Sequence, residues 1–242
     1  MIRIVFLQII FVLSLVGVLS AQAETDTINR LDKKGEKHGF WKKKNEMDIL
    51  VYEGQFDHGT PTGEFTYYYP DGIVKARSVF FDKGDRTFTT TYYHNGKVMT
   101  RGYYFNKAPD STWHYYDMSG HLLKEEFYID SLKAGTWKVY YENGTLAEET
   151  GYNRDVKHGD WKQFYENGRL KAEGAYTNGE KDGPVTYYFP DGRIQFTGTY
   201  KNGLRTGTWI FQDEEGNVIR TETFDEKGLK TEVKEYDQDT EK

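Results

Sequence analysis

The chain has 242 residues and a formal charge of −6, with 17% aromatic and 29% charged residues and no cysteine. An acidic chain this rich in rings is neither a disordered chain nor a nucleic-acid binder. Without cysteine it holds no disulfide and no zinc–thiolate site. Its 20 tyrosines and 25 glycines favour strands divided by turns, so an all-β fold is expected.

In chain order, residues 1–23 read as a secretory signal peptide. Arg3 precedes an apolar run from Ile4 to Leu19, and Ala21 and Ala23 form an A-x-A site before Glu24. Export to the periplasm, the cell surface or the medium is the expectation. No cysteine follows the run, so the protein is not expected to be a lipoprotein. Losing this segment removes Arg3 alone and takes the charge from −6 to −7. Residues 24–38 form a leader or partial repeat.

From Gly39 the chain repeats every 24 residues without insertion or deletion, giving eight units over 39–230 that begin at Gly39, Gly63, Thr87, Ser111, Gly135, Gly159, Gly183 and Gly207. Position 3 of the unit collects all five tryptophans, Trp41, Trp113, Trp137, Trp161 and Trp209, with Phe65, Thr89 and Val185 in the other units. Position 10 is glycine in seven units, and Asp48 replaces it in the first. Position 12 is aliphatic throughout, from Leu50 to Val218, and position 18 is aromatic throughout, from Phe56 to Phe224.

Each unit reads as one β-hairpin. A short aromatic run such as "WKVYY" meets an "ENG" or "PDG" turn, where Asn or Asp before Gly supplies left-handed backbone. An alternating segment such as "LAEETGY" then forms the return strand. The fold class is therefore all-β, an elongated single-sheet array of about eight tandem 24-residue hairpins. Sixteen strands at roughly 4.8 Å would extend on the order of 75 Å. A three-residue turn would pair position 7 with position 11, placing positions 6, 12 and 18 in the core and the Trp column with position 7 on the opposite face. A bulge elsewhere would bring the Trp column inside. Residues 231–242 read as an acidic polar tail with a frayed end.

The pattern GxWxxYYxNGxLxxExxY resembles the MORN repeat variant found in many bacterial proteins. The fifth and sixth units carry it best, through Gly135, Trp137, Tyr141, Asn143, Gly144, Leu146 and Tyr152 and through Gly159, Trp161, Tyr165, Asn167, Gly168, Leu170 and Tyr176. The resemblance implies a curled single sheet that serves as a scaffold for protein or lipid contacts. Some proteins of this pattern are labelled antitoxins, which implies an immunity role with a cytosolic partner. The signal peptide argues against that role here.

No catalytic, metal or cofactor site is read from the sequence. His38, His58, His94, His114, His121 and His158 lack close ligand spacing. The recurrent carboxylates Glu125, Glu149 and Glu173, and likewise Glu142 and Glu166, read as a solvated face, because a repeat copies what an enzyme needs once. The candidate partner-binding residues are the aromatics of position 7: Tyr141, Tyr165 and Phe189 foremost, with Tyr69 and Tyr93 in the earlier units. Such rings bury area at low entropic cost and leave a hydroxyl free. The expectation is an exported, non-enzymatic repeat scaffold that binds a protein. The alternatives are a surface module for glycan or lipid and an antitoxin-like immunity protein.

Overall fold

The structure, a computed structural model, describes residues 28–237. The expected signal peptide at residues 1–23 lies outside the described residues. Among the described residues twenty antiparallel strands form one sheet in which successive hairpin strands pair, as tandem hairpins require, the short strands Leu132–Lys133 and Glu180–Lys181 pairing only with the strand before them. The described residues contain no α-helix, only a 3-10 turn at Asp82–Gly84.

The fifth unit shows how the sequence makes the hairpin. Tyr141 N donates to Thr145 O at 2.8 Å and Gly144 N donates to Tyr141 O at 2.9 Å, closing a three-residue turn. Gly144 sits at φ 82°, which a side chain would strain, and Asp48 takes the same left-handed backbone at φ 61° in the first unit. The link to the next unit is a two-residue turn in which Arg154 (φ 47°) and Asp155 (φ 68°) are both left-handed. That is the type I′ turn that suits the twist of a hairpin.

Position 7 faces position 11 as expected, but the face assignment needs correction. Val139 pairs with Glu148 and Tyr140 with Leu146, so Ala147 at position 13 is an extra, bulged residue. The bulge recurs between positions 5 and 6 of every unit, for example at Gln163/Phe164 and Phe211/Gln212. It turns position 12 over relative to position 18. Position 12 therefore joins position 6 on a rear face, and position 18 joins the Trp column on the front face. The core expected at 6, 12 and 18 is instead built from positions 3, 5, 14, 16 and 18.

The front face is buried by an alternation of large and small residues. Position 3 lies between the position-16 residues of its own and the preceding unit, as Trp161 does between Gly174 and Thr150. Trp209, Val185, Phe65, Trp161 and Trp113 are 0–5% exposed. Position-18 rings stand edge-on to them, with Tyr200 and Trp209 centroids 5.1 Å apart and inclined by 86°. In the third unit Thr87 and Thr89 stand where Gly and Trp are expected. There Ser78 and Thr89 hydroxyls share a 2.9 Å hydrogen bond where a ring would otherwise lie.

The rear face is a polar ladder. Lys42 pairs with Glu53 at 3.0 Å and Lys162 with Glu149 at 3.8 Å, and Tyr68 and Tyr188 donate to Glu53 and Glu173 at 2.6 and 2.7 Å. Burial and the Glu53 carboxylate push the Tyr68 hydroxyl up to about 12. Lys230–Glu235 forms a final, fully exposed strand on Val218–Phe224, where the sequence suggested a frayed end from residue 231.

Candidate functional site

The tyrosines of position 7 stack along the hairpin-turn edge of the sheet. Each donates its hydroxyl to the position-6 carbonyl of the following unit: Tyr69 to Tyr92, Tyr93 to Tyr116, Tyr141 to Phe164 and Tyr165 to Tyr188, at 2.7–2.9 Å. Asn143 and Asn167 add parallel bonds to the carbonyls of Glu166 and Pro190. The hydroxyls that the sequence reading left free are thus committed to joining one hairpin to the next. Their rings remain half-buried. Phe189 lacks a hydroxyl and lines an open hollow with Phe196, Phe211, Ile219 and Arg220.

Sequence reasoning missed position 23. This position pairs with position 18 on the front face, as in Tyr128↔Lys133, Tyr152↔Lys157, Tyr176↔Lys181 and Tyr200↔Arg205. Four consecutive units therefore place a cation over the aromatic face. Lys133 lies 4.3 Å from the Trp137 ring, Lys157 5.0 Å from Tyr176, Lys181 4.1 Å from Trp161 and Arg205 4.3 Å from Trp209. One unit is two strands wide, so the charges repeat at about 10 Å. Arg205 also pairs with Glu222 at 3.7 Å, whereas Lys133, Lys157 and Lys181 make no ion pair among the described residues. In the earlier units Pro61, Asp85 and Pro109 break the row. The signal was a 24-residue recurrence of Lys or Arg two residues before each of the last four units.

Carboxylates on this face are few: Glu126 and Glu222 are paired with cations, and Glu148 accepts from Thr150 Oγ1 and Gln163 Nε2, each at 2.9 Å. Glu126 is 5% exposed and takes Lys124 Nζ at 2.6 Å and the Tyr128 hydroxyl at 2.9 Å. Burial pushes its pKa up, but the bonds from Lys124, Tyr115 and Tyr128 outweigh this and hold it below the usual value. Tyr128 is in turn pushed up to about 12 by burial and by Glu126. A buried carboxylate of this kind stays in place because its charge is paired and hydrogen-bonded. Glu222 is held similarly by Lys230 at 2.7 Å. The recurrent Glu125, Glu149 and Glu173 lie on the rear face in the Lys and Tyr ladder, apart from this surface.

Comparison with protein families finds the MORN repeat variant five times, at residues 61–82, 89–106, 133–154, 157–178 and 181–202. No curated protein matches the chain. The matched segments coincide with the hairpins, and three of them open at or beside the cations Lys133, Lys157 and Lys181. MORN repeats are binding or scaffold repeats of a non-catalytic type. Over residues 61–202, the chain belongs to the MORN repeat variant family.

Proposed function

We propose that this protein is an exported, non-enzymatic scaffold whose front face captures an extended acidic segment of a partner protein. The observation that carries this reading is the row Lys133, Lys157, Lys181 and Arg205 over a floor of Trp and Tyr. Three of those charges make no ion pair among the described residues, Lys181 donating only to the Tyr187 hydroxyl at 3.2 Å, in a protein whose net charge is −6. Trp, Tyr and Arg are the side chains that dominate protein–protein contacts, and charge complementarity, here from the lysines, selects the partner. An extended chain rises about 3.3 Å per residue, so every third residue of a ligand crossing the strands meets a cation. The position-7 rings of Tyr141, Tyr165 and Phe189 stand at the opposite, hairpin-turn edge of the sheet, roughly 20 Å from the row at about 3.3 Å per strand residue, with Tyr69 and Tyr93 outside the charged half.

The test is binding of oligoglutamate and, separately, of a uronic-acid polymer of matched charge, at low and at physiological salt. Oligoglutamate is expected to bind, and the variant Lys133→Gln/Lys157→Gln/Lys181→Gln is expected to bind at least tenfold more weakly while still folding. Loss of three cation–π contacts costs about 0.5–1 kcal/mol each. Equal binding by the folded variant overturns the site, and binding of the uronate polymer alone moves the assignment to a glycan. Export is tested on its own: N-terminal sequencing of the native protein is expected to begin at or near Glu24. An intact Met1 on a soluble cytosolic species would reject export and revive the immunity reading.

A further inference from the structure

The histidines that sequence spacing kept apart meet at the first inter-unit turn. His38 lies in the strand Lys37–Lys44, and His58 is the left-handed first residue (φ 45°) of the turn between Leu50–Asp57 and Thr60–Tyr68. Their ring centroids are 4.6 Å apart. Asp57 Oδ1 lies between them, 3.5 Å from His38 Nδ1 and 3.8 Å from His58 Nε2. His38 Nδ1 is shielded from solvent and makes no hydrogen bond. The three ligand atoms lie within 4.8 Å of one another.

A zinc ion with nitrogen and oxygen ligands at about 2.0–2.2 Å in tetrahedral array keeps those ligands roughly 3.3–3.6 Å apart. The two separations to Asp57 need only a small contraction to reach that geometry, and the two ring nitrogens lie within 4.8 Å of each other. The other nitrogen of His58 is already positioned. Asp32 Oδ2 accepts from His58 Nδ1 at 2.5 Å, while Asp32 Oδ1 accepts the backbone N–H groups of Lys34 and Glu36 at 2.8 and 2.9 Å. The Asp32 side chain is only 8% exposed. Donating Nδ1–H to a fixed carboxylate leaves the Nε2 lone pair facing Asp57. Metal-binding histidines are oriented in this way, by a carboxylate on the far nitrogen. Asp32 itself is a poor ligand, because both of its oxygens are engaged.

We propose that His38 Nδ1, His58 Nε2 and Asp57 bind one zinc ion, with Asp32 as the positioning residue and an open fourth position toward solvent. The ion joins the leader segment to the first repeat, at the end of the array opposite the cation row. Two imidazoles and a carboxylate suit zinc and its borderline neighbours better than calcium or magnesium.

The measurement is calorimetric titration of the purified protein with zinc chloride alone, beside the shift in thermal melting. One zinc per chain is expected, with a rise in melting temperature. His38→Gln and His58→Gln should each weaken binding by more than tenfold, and Asp32→Asn, which removes no ligand, by about 10–100-fold. His121→Gln, at an exposed turn, should change nothing. Proton NMR of the unaltered protein supplies a readout that does not depend on variant folding: zinc should move the imidazole resonances of His38 and His58 and leave those of His94, His121 and His158. Absence of binding, an undiminished site in the His38→Gln/His58→Gln double variant, or equal movement of all six histidines would each overturn the proposal.

Discussion

Trp209→Ala is expected to destabilise the protein by about 3–5 kcal/mol, among the largest losses of any single truncation. The ring is 0% exposed, and Val185, Phe224, Tyr200 and Phe211 enclose it in the core of the last two units. A single sheet has no second layer to collapse into the cavity, so the lost contacts stay lost. Stability in such an array is the sum of unit and neighbour terms. Hydrogen exchange should therefore rise first across residues 183–235 and leave the central units protected. The indole Nε1 of Trp209 is buried without a hydrogen-bond partner, unlike that of Trp113, which donates to Tyr103 O at 2.8 Å. Trp209→Phe removes that unpaired donor and keeps a ring, so it should cost much less than Trp209→Ala. Trp41→Ala, at a half-exposed end position, should also be milder. Equal losses at Trp41 and Trp209 would show that the column is a coat over the sheet and not its core.

The sequence made the repeat, the hairpin and its three-residue turn legible, because Asn-Gly and Asp-Gly turns and unbroken aliphatic and aromatic columns have few competing readings. It hid the facing of those columns. One bulged residue at position 13, such as Ala147, turns every side chain beyond it over, and no residue type is reserved for that place. Glycine at position 16 was the available clue, since glycine within a strand marks a close approach by another group. Gly54, Gly102 and Gly198 each lie beneath the position-3 ring of the following unit, Phe65, Trp113 and Trp209. Where Thr150 stands in place of glycine, Trp161 instead comes within 3.6 Å of the Cβ position of Gly174. Val185 must then share Gly174, and a second ring would not fit there. The departure of the seventh unit from tryptophan thus follows from a substitution two units earlier. The cation row and the His38–His58 pair were hidden for a different reason. Both come together across a turn between units, and column-by-column comparison does not compare residues across that boundary.

Gly198→Ala tests this reading of position 16 most severely. Alanine in an extended strand ordinarily stabilises relative to glycine by about 0.4–1 kcal/mol, because it narrows the unfolded ensemble. At Gly198 the sign should reverse. An added Cβ would lie 2.2 Å from Trp209 Cδ2 and 2.3 Å from Cε2, well inside van der Waals contact. The ring cannot swing away into solvent, being enclosed by Val185, Phe224 and Tyr200, with the Arg205 guanidinium 4.3 Å from its centroid. Overpacking of this kind costs about 1–3 kcal/mol, and more where the neighbour is as confined as it is here. The deciding measurement is a double-mutant cycle in denaturant. If the clash is the cause, Gly198→Ala should be neutral or mildly stabilising once Trp209 has been changed to alanine, and the coupling should equal nearly the whole loss seen in the parent protein. An unchanged loss in the Trp209→Ala background would mean that the backbone at residue 198, and not the ring above it, requires glycine.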